Sequence, residues 1–142
     1  MIGLIIAGHG NFATGLNSAL ELIAGPQKEC QLVDFVQEDT VDDLSKKLHT
    51  AMSNLSECDA ILVLSDLPGG SPFKTAVEVG LNYHNVRVLG GVNMPLVCEV
   101  AMARNFMEDI DSLVDMAINT GQSQVVKFEL AKRQEAVSDD GI

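Results

Sequence analysis

The chain has 142 residues, the length of one ordinary domain, and 46% of them are hydrophobic. Nine Lys and Arg residues against 20 Asp and Glu residues give a formal net charge of −11, which disfavours nucleic acid and anionic membrane surfaces as partners. The hydrophobic runs are much shorter than the roughly 20 residues of a membrane span, and the amino terminus lacks the basic start of a signal peptide. We therefore expect a globular, cytoplasmic protein.

The cysteines are odd in number and lie far apart, at Cys30, Cys58 and Cys98. This spacing matches neither a disulfide framework nor a CxxC metal site. We expect three reduced, mostly buried thiols, and no metal or other cofactor.

The first half of the chain alternates predicted strands with predicted helices. A continuous apolar run ended by glycine is typical of a strand buried on both faces, and Thr40 with Asp43 has the spacing of a helix-capping box. Gly25-Pro26 is a helix stop. The predicted elements are a strand over 2–8, a helix over 12–23, a strand over 31–36 and a helix from Thr40 to about 55.

The second half continues the alternation. Ser71 stands directly before Pro72, a pattern that predicts Ser71 as the cap of a helix. Residues 124–130 alternate weakly and are predicted as a fifth strand. The other predicted elements are a strand over 60–65, a helix over 72–81, a strand over 86–91, a helix over 95–102 and a helix over 109–120 that ends at Gly121.

Strands that alternate with helices predict an α/β fold, with an open, doubly wound, mostly parallel four-stranded sheet and helices on both faces. In the flavodoxin-like strand order the first and third strands are neighbours. We assign residues 1–130 to this domain. Residues 131–142 are polar and are predicted to be a flexible, dispensable tail.

Loops that follow the strands of such a sheet meet at one edge, where ligands bind. His9 lies between two glycines after the first strand, and Asp66 follows the third. We predict that His9 is an exposed nucleophile and that Asp66 orients its ring by accepting the Nδ1 hydrogen. The helix that begins at Ser71 directs unpaired N–H groups at the same space, where Ser71, Gly70 and Gly10 would bind a phosphoryl group.

Other motifs are weaker. Residues 10–15 have the glycine spacing of a P-loop but lack its Lys, and Gly70-Ser71-Pro72-Phe73 is an incomplete nucleophile elbow. Residues 8–13 fit a loose dinucleotide-binding fingerprint, which stays open as an alternative. His49 and His84 are predicted to be surface residues that bind no metal.

The ordered motifs resemble those of the IIA component of the mannose-fructose-sorbose family of the bacterial phosphoenolpyruvate-dependent sugar phosphotransferase system. The resemblance covers nearly the whole chain. The motifs that carry it are Ala7-Gly8-His9-Gly10, Asp66-Leu67-Pro68-Gly69-Gly70-Ser71-Pro72-Phe73, Gly90-Gly91-Val92-Asn93-Met94-Pro95 and Ala103-Arg104.

The resemblance implies that His9 carries the phosphoryl group, that Asp66 orients it, and that the helix at Ser71 receives the phosphate. It implies phospho-HPr as donor and a histidine of a separate IIB component as acceptor, with the membrane permease reached only through IIB. It also implies a homodimer in which residues 124–130 are exchanged between subunits. The alternatives are a phosphoryl donor subunit of a dihydroxyacetone kinase, a regulatory phospho-acceptor domain, and an anion- or nucleotide-binding module without turnover.

Overall fold

The computed structural model describes residues 1–131, in which four strands alternate with helices before two helices close the chain. The strand and helix bounds agree with the predicted alternation. They are β1 Ile2–His9, α1 Phe12–Ala24, β2 Cys30–Phe35, α2 Val41–Asn54, β3 Ala60–Ser65, α3 Ser71–Gly80, β4 Val86–Leu89, α4 Met94–Ala103 and α5 Ile110–Ser123.

The four strands form one parallel sheet in the order β2-β1-β3-β4. The predicted α/β class and the predicted contact between β1 and β3 are therefore confirmed. Because every strand runs in the same direction, the carboxyl ends of β1, β2 and β3 meet at one edge. This edge holds His9 and Asp66.

Two hydrophobic layers cover the sheet. The even-numbered β1 residues Leu4 and Ile6 pack with residues of α1, α4 and α5, while Ile5 and Ala7 pack with residues of α2 and α3. Successive side chains of a strand point to opposite faces, so His9 projects on the α2 and α3 side. That is the side on which α3 begins.

Several element ends differ from the prediction. Ser71 is the first residue of α3, and Gly70 holds the extended cap conformation without a side-chain bond. Helix α5 passes through Gly121 and ends at Ser123. Asn93, in the loop between β4 and α4, donates from Nδ2 to the Gly121 carbonyl at 2.9 Å and holds this turn of the helix. Strand β4 ends at Leu89, before the glycines.

The carboxyl-terminal region differs most from the predicted secondary structure. Residues 125–131 are exposed and form no strand within the described chain, so the predicted fifth strand over 124–130 is absent from the single subunit. The predicted tail over 131–142 lies, apart from Ala131, outside the described residues. The three cysteines are unpaired and half-buried, more accessible than predicted.

The capping-box prediction at α2 is confirmed. The Thr40 side chain accepts a hydrogen bond from the Asp43 amide, and the Asp43 side chain accepts one from the Thr40 amide. Two amides that the first helical turn leaves unpaired are satisfied in this way.

Arg104 forms hydrogen bonds at the amino ends of β1 and β2, the end of the sheet opposite to His9. Its side chain is buried, and the guanidinium donates to the carbonyl of Ile2 at 2.9 Å, to that of Glu29 at 3.2 Å and to that of Lys28. These carbonyls lie where β1 and β2 begin. Arg104, singled out in the sequence, therefore stabilises the amino ends of the strands, far from His9.

No helix within residues 1–131 has the length and the apolar character that crossing a bilayer requires.

Candidate functional site

Sheet topology brings His9 and Asp66 together although 57 positions separate them. His9 is the last residue of β1, and Asp66 follows Ser65, which pairs with Ala7 in the adjacent strand. Adjacent parallel strands that end at the same level deliver their last side chains to the same place. The two residues predicted to act together are therefore in contact.

A single carboxylate oxygen holds His9 by two atoms. Oδ2 of Asp66 lies 2.8 Å from the main-chain nitrogen of His9 and 2.8 Å from Nδ1 of its ring. The His9 side chain is 46% exposed, whereas that of Asp66 is 16% exposed. The acid is thus sheltered while the ring it holds faces solvent.

The contact with Asp66 fixes which ring nitrogen of His9 can react. An ionised carboxylate accepts hydrogen bonds but cannot donate them, so Nδ1 carries a hydrogen. In the neutral ring the lone pair then lies on Nε2. The geometry therefore leaves the Nε2 lone pair of a neutral His9 ring directed away from Asp66.

Asp66 is kept ionised by its surroundings. Burial raises the pKa of Asp66, but hydrogen bonds from the main chain and ring of His9 and from the main chain of Leu67 outweigh burial and leave the pKa below its usual value. The Leu67 amide donates to Oδ1 at 2.7 Å. Both carboxylate oxygens are therefore occupied as acceptors.

The start of α3 lies against the ring. A Cβ atom built on Gly70 would be 2.9 Å from Cε1 of His9, so position 70 has no room for a side chain unless the ring moves. Ser71 and Phe73 follow as the first and third helical residues, and Pro72 between them has no N–H. The amides of Ser71 and Phe73 precede the first intrahelical hydrogen bond, that of Lys74 to Gly70.

The amides of Gly70 and Gly10 are already used. Gly70 donates to the Leu67 carbonyl at 3.0 Å, and Gly10 donates to the Phe35 carbonyl at 2.7 Å. Gly10 also has φ +58°, a left-handed conformation that glycine adopts without strain. These two glycines give the site its shape, while Ser71 and Phe73 supply its available donors.

The loop after β4 supports the site from behind. Gly91 donates its amide to the Asp66 carbonyl at 2.9 Å, and Val92 donates to the Ser65 carbonyl at 3.2 Å. A Cβ atom on Gly90 would lie 2.9 Å from the Pro68 main chain. Asn93 caps α4 by accepting a hydrogen bond from the Leu96 amide, so the loop over residues 90–93 has a structural part.

One residue at the end of β2, Phe35, borders the site and was not among the predicted site residues. Phe35 pairs with His9 in the sheet, and the centroids of the two rings are 6.0 Å apart. Asp34 accepts bonds from the main chain of Thr14 at 3.1 Å and from its hydroxyl at 2.6 Å, which caps α1 from a neighbouring strand. The position of Phe35 at the end of a predicted strand was one signal, but its place beside His9 follows from the register between β1 and β2.

The remaining candidates lie elsewhere. His49 contacts Tyr83, with Nδ1 3.3 Å from the phenol oxygen, and His84 is exposed in the loop before β4. In the dinucleotide fingerprint an acid at the end of the second strand meets a ribose, and Asp34, at that place, accepts hydrogen bonds from the main chain and hydroxyl of Thr14. Gly8 is required instead by Phe12, which a Cβ atom there would approach within 2.5 Å.

Known proteins share both the sequence and the fold. The model of the family described as "PTS system fructose IIA component" matches residues 3–118. The chain is 30% identical to the fructose-specific EIIA component of Bacillus subtilis, over 98% of this chain and 96% of that protein. It is 32% identical to the mannose-specific EIIAB component of Escherichia coli K12, over 87% of this chain.

The chain spans about two fifths of that E. coli protein's length, with 38% of it covered. Among solved structures, a phosphotransferase system component EIIA from Streptococcus agalactiae superposes with a TM-score of 0.80 at 34% identity, over 89% of this chain and 97% of that one. The resemblance predicted from the motifs is thus confirmed. Together with the family match over residues 3–118, these similarities show that the chain belongs to the PTS system fructose IIA component family.

Proposed function

We propose that this protein is a phosphocarrier of a sugar phosphotransferase system. His9 accepts a phosphoryl group from phospho-HPr and passes it to a histidine of a IIB component, which serves sugar uptake and phosphorylation. The observation that carries the proposal is the 2.8 Å contact between Nδ1 of His9 and Oδ2 of Asp66, made by a ring that remains 46% exposed. The contact orients the nucleophile, and the exposure lets partner proteins reach it.

In the proposed reaction, the lone pair on Nε2 of neutral His9 forms a bond to phosphorus as the bond to the donor nitrogen breaks. The donor histidine ring, which carries a hydrogen on its other nitrogen, keeps the electron pair of that bond and leaves as a neutral imidazole. The His9 ring, which still carries its Nδ1 hydrogen, becomes cationic, and the adjacent Asp66 carboxylate stabilises this charge. Transfer to the acceptor histidine follows the same steps, with His9 as the leaving group.

The start of α3 supports the phosphate-binding part of the proposal. The amides of Ser71 and Phe73 stand at the positive end of the helix, where anionic oxygens are stabilised. Gly70 and Gly10 leave room beside the ring, and the Ser71 hydroxyl adds one more donor. Positioning and N–H donors are sufficient for phosphoryl transfer of this kind, so the proposed reaction uses no cofactor.

We further propose that two copies of the chain associate. Val126, Phe128 and Leu130 are between 69% and 77% exposed and alternate with charged Lys127 and Glu129. A strand with this alternation would present one apolar face, which the single subunit leaves uncovered. We propose that residues 124–130 of a second copy bind along β4, which is an edge strand of the sheet. We also propose a cytoplasmic location, which follows from the proposed donor and acceptor.

A reconstituted transfer reaction tests the proposed function. The protein is incubated with phosphoenolpyruvate, enzyme I and HPr, and the acid-labile phosphate is mapped by mass spectrometry. We expect a single phosphorylation at His9, absent from His9→Ala. Asp66→Asn should be phosphorylated about 10²- to 10⁴-fold more slowly, because the ring loses its fixed tautomer.

His49→Ala is the matched control, because His49 is an exposed histidine outside the site. It should accept phosphate at the normal rate. Addition of a IIB component of the family should then remove the label, whereas a dihydroxyacetone kinase subunit should not. Phosphate on another residue, or a normal rate in Asp66→Asn, would refute the proposed roles.

A further inference from the structure

Phe35 contacts the ring of His9 from the neighbouring strand. The two residues are register partners of β2 and β1, so their side chains project from the same face of the sheet. The ring centroids lie 6.0 Å apart with the ring planes inclined by 56°, a tilted arrangement that aromatic pairs favour. Phe35 is half-buried and packs on the hydrophobic layer beneath α2 and α3.

The main chain holds the same two residues together. The Phe35 carbonyl accepts the Gly10 amide at 2.7 Å, one residue beyond His9, as the chain leaves β1. Phe35 therefore fixes the loop through its backbone and borders the imidazole through its side chain. Any substitution leaves the backbone bond in place, so the two contributions can be separated by experiment.

The His9 ring thus has three distinct neighbours. Asp66 holds Nδ1, the space left by the absent side chain of Gly70 borders Cε1, and Phe35 lies beside the ring. One hydrogen bond to Nδ1 leaves the imidazole free to swing about the bonds that connect it to the main chain. A bulky neighbour restricts that swing, and the only apolar ring in contact with His9 among the described residues is that of Phe35.

We propose that Phe35 is a positioning residue for His9: its ring confines the imidazole to the orientation in which Nδ1 meets Asp66 and Nε2 faces the incoming phosphoryl group. This inference rests on the proposed function, which it extends to a residue of β2. In-line attack depends on the placement of the nucleophile, and an error of about 1 Å can cost roughly 10²-fold in rate.

Phe35→Leu provides the test, because it removes the ring and keeps an apolar side chain on the hydrophobic layer. Tyr83→Leu is the matched control, since Tyr83 is also a half-buried aromatic residue on that layer but contacts His49 instead of His9. Phe35→Met is a second variant, whose side chain has a similar volume to leucine but is longer and unbranched. Urea unfolding establishes that each variant is folded under the assay conditions.

Two readouts are needed. The first is the single-turnover rate of phosphoryl transfer from phospho-HPr, which we expect to fall about tenfold in Phe35→Leu and to be unchanged in Tyr83→Leu. The second is the tautomer of His9, measured by long-range proton–nitrogen NMR. We expect the fraction protonated at Nδ1 to fall in Phe35→Leu toward the mixture seen in free histidine, and Phe35→Met to lie between this variant and the wild type.

The outcomes separate positioning from packing. An unchanged tautomer together with an unchanged rate in Phe35→Leu would overturn the inference, and so would an equal loss in Tyr83→Leu, which would indicate general packing. If the wild-type protein accepts no phosphate at all, the proposed function fails. The NMR readout still decides whether Phe35 orients the ring.

Discussion

At the scale of single residues, Asp66 is central because one of its oxygens serves both the main chain and the side chain of His9. The sequence predicted this pair from the position of each residue after an apolar strand. It could not predict that position 70 must lack a side chain to make room for the His9 ring, because that requirement depends on how closely α3 approaches the ring. The Ser71 cap was wrong for a related reason, because the backbone of Gly70 already makes the turn into the helix.

The pKa of Asp66 provides a pH prediction. Burial raises the pKa, but the hydrogen bonds from His9 and Leu67 lower it by more than burial raises it. We therefore expect carbon NMR to find the carboxyl titrating below its usual value of 3.8. Because the folded pKa is depressed, these bonds stabilise the folded state above the unfolded pKa, and this contribution is lost as the pH falls through the folded pKa.

His9→Ala removes the ring bond and should therefore raise the pKa of Asp66 toward 3.8. In urea unfolding, the stability advantage of wild type over Asp66→Asn should shrink below about pH 4. An advantage that grows as the solution is acidified would contradict the assigned direction.

Gly70→Ala tests the space beside the ring. The alanine Cβ would lie 2.9 Å from Cε1 of His9, while φ −73° at position 70 suits alanine. The new Cβ atom would also lie 3.2 Å from the Leu67 carbonyl oxygen, which requires a small backbone adjustment. We expect the ring to be displaced and phosphoryl transfer to fall about tenfold or more. Stopped-flow measurement of transfer from phospho-HPr supplies the rate.

Gly15→Ala is the matched control, because nothing lies within 4 Å of a Cβ atom built there. It should transfer phosphate normally and increase the free energy of unfolding by about 0.5 to 1 kcal/mol, since alanine favours the helix interior. Equal rates in the two alanine variants would show that the space beside His9 is not required.

At the scale of elements, prediction worked where local sequence decides the outcome. The bounds of β3 agree with the predicted 60–65, and the capping box at Thr40 starts α2 as expected. It failed where a distant contact decides. Gly121 reads locally as a helix stop, yet α5 continues because Asn93 bonds to its carbonyl.

The same limit explains why Phe35 was missed. Its importance depends on the register between β1 and β2, which the sequence of either strand alone does not reveal. The apolar segment 124–130 is a similar case, since an edge strand forms only beside a partner strand. A single subunit leaves it irregular and exposed.

At the scale of the whole molecule, the proposed association of two copies is testable by light scattering. We expect the wild-type protein to have twice the mass of one chain. Phe128→Asp places a charge on the apolar face of the segment, so it should shift the protein toward a monomer. Phe128 is 69% exposed in the single subunit, so the substitution should leave the fold of each chain unchanged.

Lys127→Asp is the matched control, because Lys127 projects to the opposite face of an alternating strand. It introduces the same aspartate one position earlier and should leave the mass doubled. A wild-type protein that already runs as a monomer would refute the proposed association, and equal masses in both variants would show that the alternation does not matter.

The two hydrogen bonds from His9 to Oδ2 of Asp66 have a consequence for how partner proteins recognise this one. That oxygen holds both the main-chain nitrogen and Nδ1 of His9, whereas the phosphoryl group would be bound to Nε2. The phosphorylated and unphosphorylated proteins should therefore have the same backbone conformation around His9. The donor must bind the unphosphorylated protein and the acceptor the phosphorylated one. Because the surrounding surface would be the same in both, each partner would have to distinguish them by the bulk and negative charge of the phosphoryl group itself.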